Sequence, residues 1–404
     1  MNILRIYGRE NSMKTYKYLI IGGGMTGDAA VKGIRERDAE SSIGMISAEA
    51  DKPYSRPPLT KGLWKGRPFE KIWRGTDKHN VDFNLGRTVS RIDPAARRVQ
   101  DLEGEEYGYE KLLLATGGAV NKLPFGGDDV IYYRTLKDYQ RLRELADKKE
   151  RFLVIGSGFI GSEIAAALRM NGKQVFMIYR GDVIGGNLYP LGLAQAVTDH
   201  YKFKGVELVA RDEVTGIQKI EDVYKVQTRN GLVLEVDGIV AGLGVHPHDE
   251  LAKAAGLKID DGIVVNDRLQ TSATNVYAAG DVAMFPHFTL KKQMRIEHED
   301  NSLKMGVQAG RNMAGADEAY THTPNFYSDL FELGYEAVGE LSSKMQMVED
   351  WQVPNQKGVV YYLTNGRVRG VLMWGLRDKV SDAVALMGEP GPFRIEDLAG
   401  LIRE

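Results

Sequence analysis

Twice along this chain a short aliphatic run breaks into glycines spaced G-x-G-x-x-G and then into a helical pattern. The first copy reads Lys17-Tyr18-Leu19-Ile20-Ile21, then Gly22-Gly23-Gly24-Met25-Thr26-Gly27, then a helix pattern reaching residue 37. A second apolar run, Ile43-Gly44-Met45-Ile46, ends near Glu49. Strand, tight turn and helix in that order restrict the local fold to a βαβ unit, with the helix opening on the last glycine. Gly22 permits the turn, Gly24 lets the backbone approach a diphosphate, and Gly27 lets helix pack on strand. The N–H groups of the helix start, at Met25 and Thr26, then face an anion. Glu49, at the tip of the second strand, is placed to accept the hydroxyls of an adenosine ribose.

The second copy begins at Phe152-Leu153-Val154-Ile155 and continues Gly156-Ser157-Gly158-Phe159-Ile160-Gly161, with a helix over 162–170 and a strand over 174–178. One such unit implies one dinucleotide. Two imply two dinucleotides whose reactive rings meet between domains. The second unit lacks a carboxylate at its strand tip, which reads Tyr179-Arg180-Gly181-Asp182. Arg180 suits a 2′-phosphate or the face of an adenine, Asp182 suits a ribose hydroxyl, and Gly161 is more usual for NAD. Both nicotinamide coenzymes remain open on these residues.

At 404 residues the chain exceeds the size of a single core, so two or three domains are expected. The 53 basic residues against 55 acidic ones argue against nucleic acid or an anionic membrane as the main partner. Cysteine is absent, which excludes disulfides, cysteine-ligated iron–sulfur clusters and a redox-active dithiol, and fits a reducing cytoplasm. No apolar run reaches the roughly 18 residues of a spanning helix. Residues 1–15 lack the apolar centre of a signal peptide, and Met13 reads as an alternative start, with 1–12 a dispensable extension.

Between the two copies lies Asp51-Lys52-Pro53-Tyr54-Ser55-Arg56-Pro57-Pro58-Leu59-Thr60-Lys61. Its three prolines in six positions predict a rigid loop that then feeds a helix. Residues 97–100 and 107–110 read as a hairpin around Gly104, and 111–118 as a buried strand ending in Ala115, Thr116 and Gly117. The second unit closes with a strand over 235–244 ending at Gly244. Residues 271–281 form a short strand ending Ala278-Ala279-Gly280-Asp281, and a helix is expected over 295–314. From Tyr320 the pattern becomes antiparallel, with strands at 335–341, 358–364 and 367–374, the last two joined by an Asn365-Gly366 primed turn, and a helix at 377–387. The expected architecture is α/β: two Rossmann-like dinucleotide-binding domains and a small C-terminal α+β domain with an antiparallel sheet. The proposed division is 13–125 and 258–318 for the first domain, 126–257 for the second and 319–404 for the third.

These pieces in this order resemble the pyridine nucleotide-disulfide oxidoreductase superfamily, in its ferredoxin-reductase-like branch, which includes the apoptosis-inducing-factor and monodehydroascorbate reductase types. The likeness extends over nearly the whole chain from Lys14. It is carried by Pro53-Tyr54-Ser55-Arg56-Pro57-Pro58-Leu59-Thr60-Lys61, Tyr109-x-x-Leu112-x-x-Ala115-Thr116-Gly117, residues 156–163 and 277–282, and Arg295-x-Glu297-His298. Phe326-Tyr327-Ser328-Asp329, residues 334–339 and Leu372-Met373-Trp374 look most like the apoptosis-inducing-factor C-terminal domain.

The resemblance implies FAD in the first domain, NAD(P)H in the second, and electrons passing from nicotinamide through flavin to an acceptor. By that likeness Gly22, Gly24, Gly27 and Glu49 hold the ADP half of FAD, Arg56 lies near its diphosphate and Asp281 at its ribityl–phosphate region. Lys61 and Glu163 pair beside the flavin ring, Glu163 meets the nicotinamide carboxamide, and Phe159 lies over the ring face where nicotinamide docks. Glu297 and His298 lie at the pyrimidine end and Trp374 near the ring. Two departures stand out. Ferredoxin-reductase-like relatives carry tryptophan after the Glu-His pair, where this chain has Glu299. The long C-terminal insertion and the presequence of animal apoptosis-inducing factor are absent, so a cell-death role is not implied. The expected function is a cytoplasmic FAD-dependent NAD(P)H oxidoreductase, without a bound metal, serving a ferredoxin or rubredoxin. Alternatives are a quinone, dye, oxygen or monodehydroascorbate reductase, a slow redox sensor, or a redox-dead relative. A homodimer is compatible with each.

Overall fold

The computed structural model describes residues 13–403; the reading of 1–12 as an extension lies outside the described residues. The first sheet runs Val81–Leu85, Ile43–Ser47, Lys14–Ile21, Glu106–Leu114, then Arg98–Asp101 and Val89–Asp93. The strand Glu106–Leu114 changes partner along its length. Its first half pairs antiparallel with Arg98–Asp101, while Leu112, Leu113 and Leu114 pair in parallel with Val276–Ala278. That late strand is how the chain returns to the first sheet after building the second. The return is locked by helix Glu299–Met313 crossing helix Met25–Arg35 at backbone contact, where a Cβ on Gly33 would lie 2.1 Å from the Val307 carbonyl and one on Gly310 2.1 Å from that of Ala30.

The second sheet is parallel throughout: Val206–Ala210, Gln174–Tyr179, Arg151–Ile155, Gly238–Ala241, Val130–Tyr132. Such a sheet is covered on both faces. Helices Leu136–Lys148, Phe159–Met170 and Leu191–Phe203 bring buried apolar side chains to its core, and Thr135 with Asp138 forms a capping box at the first of these. A three-stranded antiparallel flap, Val214–Ile220, Val223–Thr228 and Val233–Val236, also packs on it. The C-terminal sheet is antiparallel in the order Asn325–Leu330, Leu333–Gly339, Arg367–Trp374, Lys357–Thr364, Gln346–Val353. Asn365 and Gly366 both take positive φ, 52° and 70°, as the primed hairpin turn requires.

Both glycine-turn helices start two or three residues earlier than the pattern suggested, at Met25 and Phe159, because the middle glycine of each motif acts as the N-cap. The proline loop feeds only 3₁₀ turns, Pro57–Leu59 and Gly62–Lys65, since Gly66 leaves the helical region at φ 81° and Pro68 follows. The helix expected from 295 starts at Glu299, leaving Glu297 and His298 outside it. Among the described residues no helix is long and apolar enough to cross a membrane.

Candidate active site

The two glycine turns are built alike. A Cβ on Gly22 would lie 2.1 Å from the Ala115 carbonyl oxygen, and one on Gly156 2.5 Å from that of Gly242. Both glycines hold positive φ, 122° and 103°, where a side chain is strained. The third glycine of each motif packs on the carbonyl of the first: a Cβ on Gly27 would lie 2.2 Å from that of Gly22, and one on Gly161 2.1 Å from that of Gly156. The middle glycines differ in kind, because a Cβ on Gly24 or Gly158 would meet no atom within 4 Å. Each is a bare helix N-terminus facing open space, a cradle that fits the diphosphate of a dinucleotide.

One cavity of about 680 Å³ connects the two units, well inside the range of cofactor sites. The first unit contributes Gly22, Gly24, Met25, Thr26, Glu49, Arg56, Lys61, Ala115, Thr116 and Gly117. The second contributes Phe159, Ile160, Glu163 and Gly244, and the returning segment Asp281, Glu297 and His298. Gly27, Gly156, Gly158, Gly161 and Gly280 do not line it. Gly280 allows close approach instead, at φ 77° with its Cβ direction 2.3 Å from Thr26 Oγ1. Arg180 stands apart, its side chain 85% exposed on an ion pair with Glu213.

A buried ion pair lines the cavity with one partner from each unit. Glu163 Oε2 accepts from Lys61 Nζ at 2.7 Å and Thr60 Oγ1 at 2.6 Å, while Oε1 accepts from Ser328 Oγ at 2.8 Å. The Glu163 side chain is 4% exposed. Its donors come from the proline loop and the C-terminal sheet, so three parts of the chain close on one carboxylate. Lys61 also sits over the Tyr327 ring at 5.2 Å. Further along, Glu49 is held rather than free: Arg56 pairs with one oxygen at 2.5 Å and the Tyr54 hydroxyl donates to the other at 2.6 Å. Arg134 pairs with Asp281 at 2.8 Å, and Ser302 donates to the second oxygen of Asp281. Tyr54, Thr60, Arg134, Ser302 and Ser328 were not among the residues sequence reasoning placed at the site.

The tryptophan expected at the ring belongs to the core instead. Trp374 is 1% exposed, stacked on Tyr335 with centroids 5.4 Å apart and packed against Tyr189, and it does not line the cavity. The C-terminal sheet presents Asn325, Phe326 and Tyr327 there. Phe326 stacks on His298 at 4.2 Å and meets Phe159 edge-on at 5.8 Å. It thus supplies an aromatic wall beside Glu299, which also lines the cavity. Burial pushes the His298 imidazole down to about 4, so it is neutral at pH 7. Burial raises Glu299 above the ordinary carboxyl range, opposed by Arg74 and Lys61.

A family model described as pyridine nucleotide-disulphide oxidoreductase matches residues 16–306, and one described as apoptosis-inducing factor, mitochondrion-associated, C-term matches 309–356. The putative apoptosis-inducing factor 1, mitochondrial, of Drosophila melanogaster is 30% identical over 94% of this chain, which spans 64% of that relative's length. The 3-phenylpropionate/cinnamic acid dioxygenase ferredoxin–NAD(+) reductase component of Photorhabdus laumondii is 30% identical, with 84% of this chain and 87% of the relative covered. Among solved structures, the covalent putidaredoxin reductase–putidaredoxin complex superposes with TM-score 0.84 at 27% identity, covering 94% of this chain and 97% of that one.

Proposed function

Because the chain belongs to the pyridine nucleotide-disulphide oxidoreductase family, we propose that it passes electrons from NAD(P)H through FAD to a small acidic iron protein, a ferredoxin or rubredoxin. It is an FAD-dependent NAD(P)H oxidoreductase. The observation that carries the reading is the single cavity lined from both glycine-turn units, with the Lys61–Glu163 pair where they meet.

In this reading Gly24, Met25, Thr26, the Glu49–Tyr54–Arg56 cluster, residues 115–117 and Asp281 hold FAD. Gly158, Phe159, Ile160, Glu163 and Gly244 hold the nicotinamide coenzyme. FAD, when bound, supplies the conversion between two-electron and one-electron transfer. Lys61 places a cation at the junction, which favours an added negative charge there. Thr60 and Ser328 fix the Glu163 carboxylate so that its orientation costs nothing when a substrate arrives. Phe159 and Phe326, edge to face, form an aromatic wall of the cavity where the rings of the two dinucleotides would meet. With no cysteine in the chain, electrons leave without a disulfide relay.

Support for an acidic carrier comes from the turns after Lys61, where Lys65, Arg67 and Lys71 are exposed and only Glu70 opposes them. Reversing Lys65 and Lys71 to glutamate is expected to raise the KM for a ferredoxin about tenfold at low salt and to leave ferricyanide reduction unchanged. Equal KM values for parent and variant would remove this face from the docking surface. The function itself is tested by steady-state turnover against a panel of ferredoxins, rubredoxins, quinones and ferricyanide. Fast reduction of an iron carrier is expected. Slow turnover with every acceptor and a persistent long-wavelength band would favour the sensor reading.

A further inference from the structure

The second glycine-turn unit ends in a surface cluster that the shared cavity does not use. The register pairs Tyr179 with Ala210, so the carboxyl ends of strands Gln174–Tyr179 and Val206–Ala210 lie side by side. Arg180 follows the first strand and Arg211 the second, with the Arg211 N–H donating to the Gly181 carbonyl at 3.1 Å. Arg229 joins them, its N–H bound to the Glu213 carbonyl at 2.9 Å. Backbone hydrogen bonds therefore fix three arginines at one strand tip. Their side chains are 85%, 75% and 68% exposed.

The acids around them are engaged. Arg180 and Arg229 both pair with Glu213, and Arg211 pairs with Asp182. Asp212 is turned inward, 5% exposed, and accepts from the backbone N–H groups of Glu213 and Asn230. In a βαβ dinucleotide unit the adenosine ribose lies over the tip of the second strand, where a carboxylate selects an unphosphorylated ribose. Here that tip carries Arg180 and Gly181, and the two carboxylates beside it are already held, Asp182 by Arg211 and Glu213 by Arg180 and Arg229. Exposed ion pairs exchange partners at little cost, whereas guanidinium groups bind phosphate oxygens in a bidentate fashion.

We infer that Arg180, Arg211 and Arg229 form a 2′-phosphate site, so that NADPH rather than NADH is the electron donor. The inference rests on the oxidoreductase reading above and adds the coenzyme to it. Two measurements on the yellow holoenzyme test it. By isothermal titration, 2′,5′-ADP is expected to bind at least about tenfold more tightly than 5′-AMP. The ratio of kcat/KM for NADPH over NADH is expected to exceed about ten and to fall at least tenfold in Arg180→Ala and in Arg229→Ala. Equal or weaker binding of 2′,5′-ADP, or a preference for NADH, would overturn the assignment. Reduction by neither coenzyme would instead sink the oxidoreductase reading, while the nucleotide titration still decides this one.

Discussion

Gly24→Val is expected to fold like the parent and to purify without colour. The polypeptide accommodates the change: Gly24 caps its helix at φ −87° and ψ −167°, extended backbone open to any residue, and an added Cβ meets no atom within 4 Å. Stability should therefore move by no more than about 0.5 kcal/mol. What the isopropyl group does meet is the space in front of the helix N–H groups, where a diphosphate would rest. Crowding there costs about 1–3 kcal/mol, and lost N–H contacts add to it, for a loss of roughly 100-fold or more in flavin affinity. Gly158 has the same geometry, with φ −74° and ψ −175° and nothing within 4 Å. Gly158→Val should thus remain yellow and lose reduction by the nicotinamide coenzyme. Absorbance at purification and coenzyme titration distinguish the two, and a yellow Gly24→Val protein would place the flavin elsewhere.

The second large effect is expected at the buried ion pair. Lys61→Ala leaves the Glu163 carboxylate, 4% exposed, with only the hydroxyls of Thr60 and Ser328 as donors. Breaking a pair of this kind typically costs about 3–5 kcal/mol, so the unfolding midpoint should fall. The same change removes the cation from the junction and releases the side chain that positions a substrate. Reduction by NAD(P)H should slow on the order of 100-fold. Stopped-flow rates measured below the midpoint of unfolding distinguish a reactive from a purely structural pair. A destabilised variant with an unchanged reduction rate would reduce Lys61–Glu163 to an interdomain tether.

Both cradles were legible in the sequence because their rule is local. Strand, glycine spacing and helix follow one another within about 15 residues, and the packing of each third glycine on its first comes with the spacing. The proximity of Lys61 and Glu163 had no such signal. They lie 102 positions apart, and only the resemblance paired them. Ser328 was hidden for the same reason, since it reaches Glu163 across 165 positions. Tyr54 and Arg56 sat in a loop already singled out for its prolines, and its likeness to the family motif carried Arg56 but not the tyrosine that shares its carboxylate.

Trp374 shows where pattern reading fails. In Arg367–Trp374 all but the first and third residues are buried, so alternation does not reveal which face meets which neighbour. The pairing of Tyr335 with Trp374 and their ring stack turn the indole into the core. The neighbouring strand Asn325–Leu330 reaches the cavity instead. Gly306 and Gly310, four residues apart on a helix, are the sequence mark of the backbone-close crossing with the first glycine-turn helix. That crossing carries Asp281, Glu297 and His298 back to the site.

Anaerobic mixing of the purified yellow protein with NADPH, followed by absorbance at the flavin band, measures whether the two cradles serve one transfer. Stoichiometric bleaching within the time of a single turnover, lost in Gly158→Val, is the predicted result. A flavin that stays oxidised with saturating NADPH and NADH alike would mean that the two nucleotide sites do not communicate.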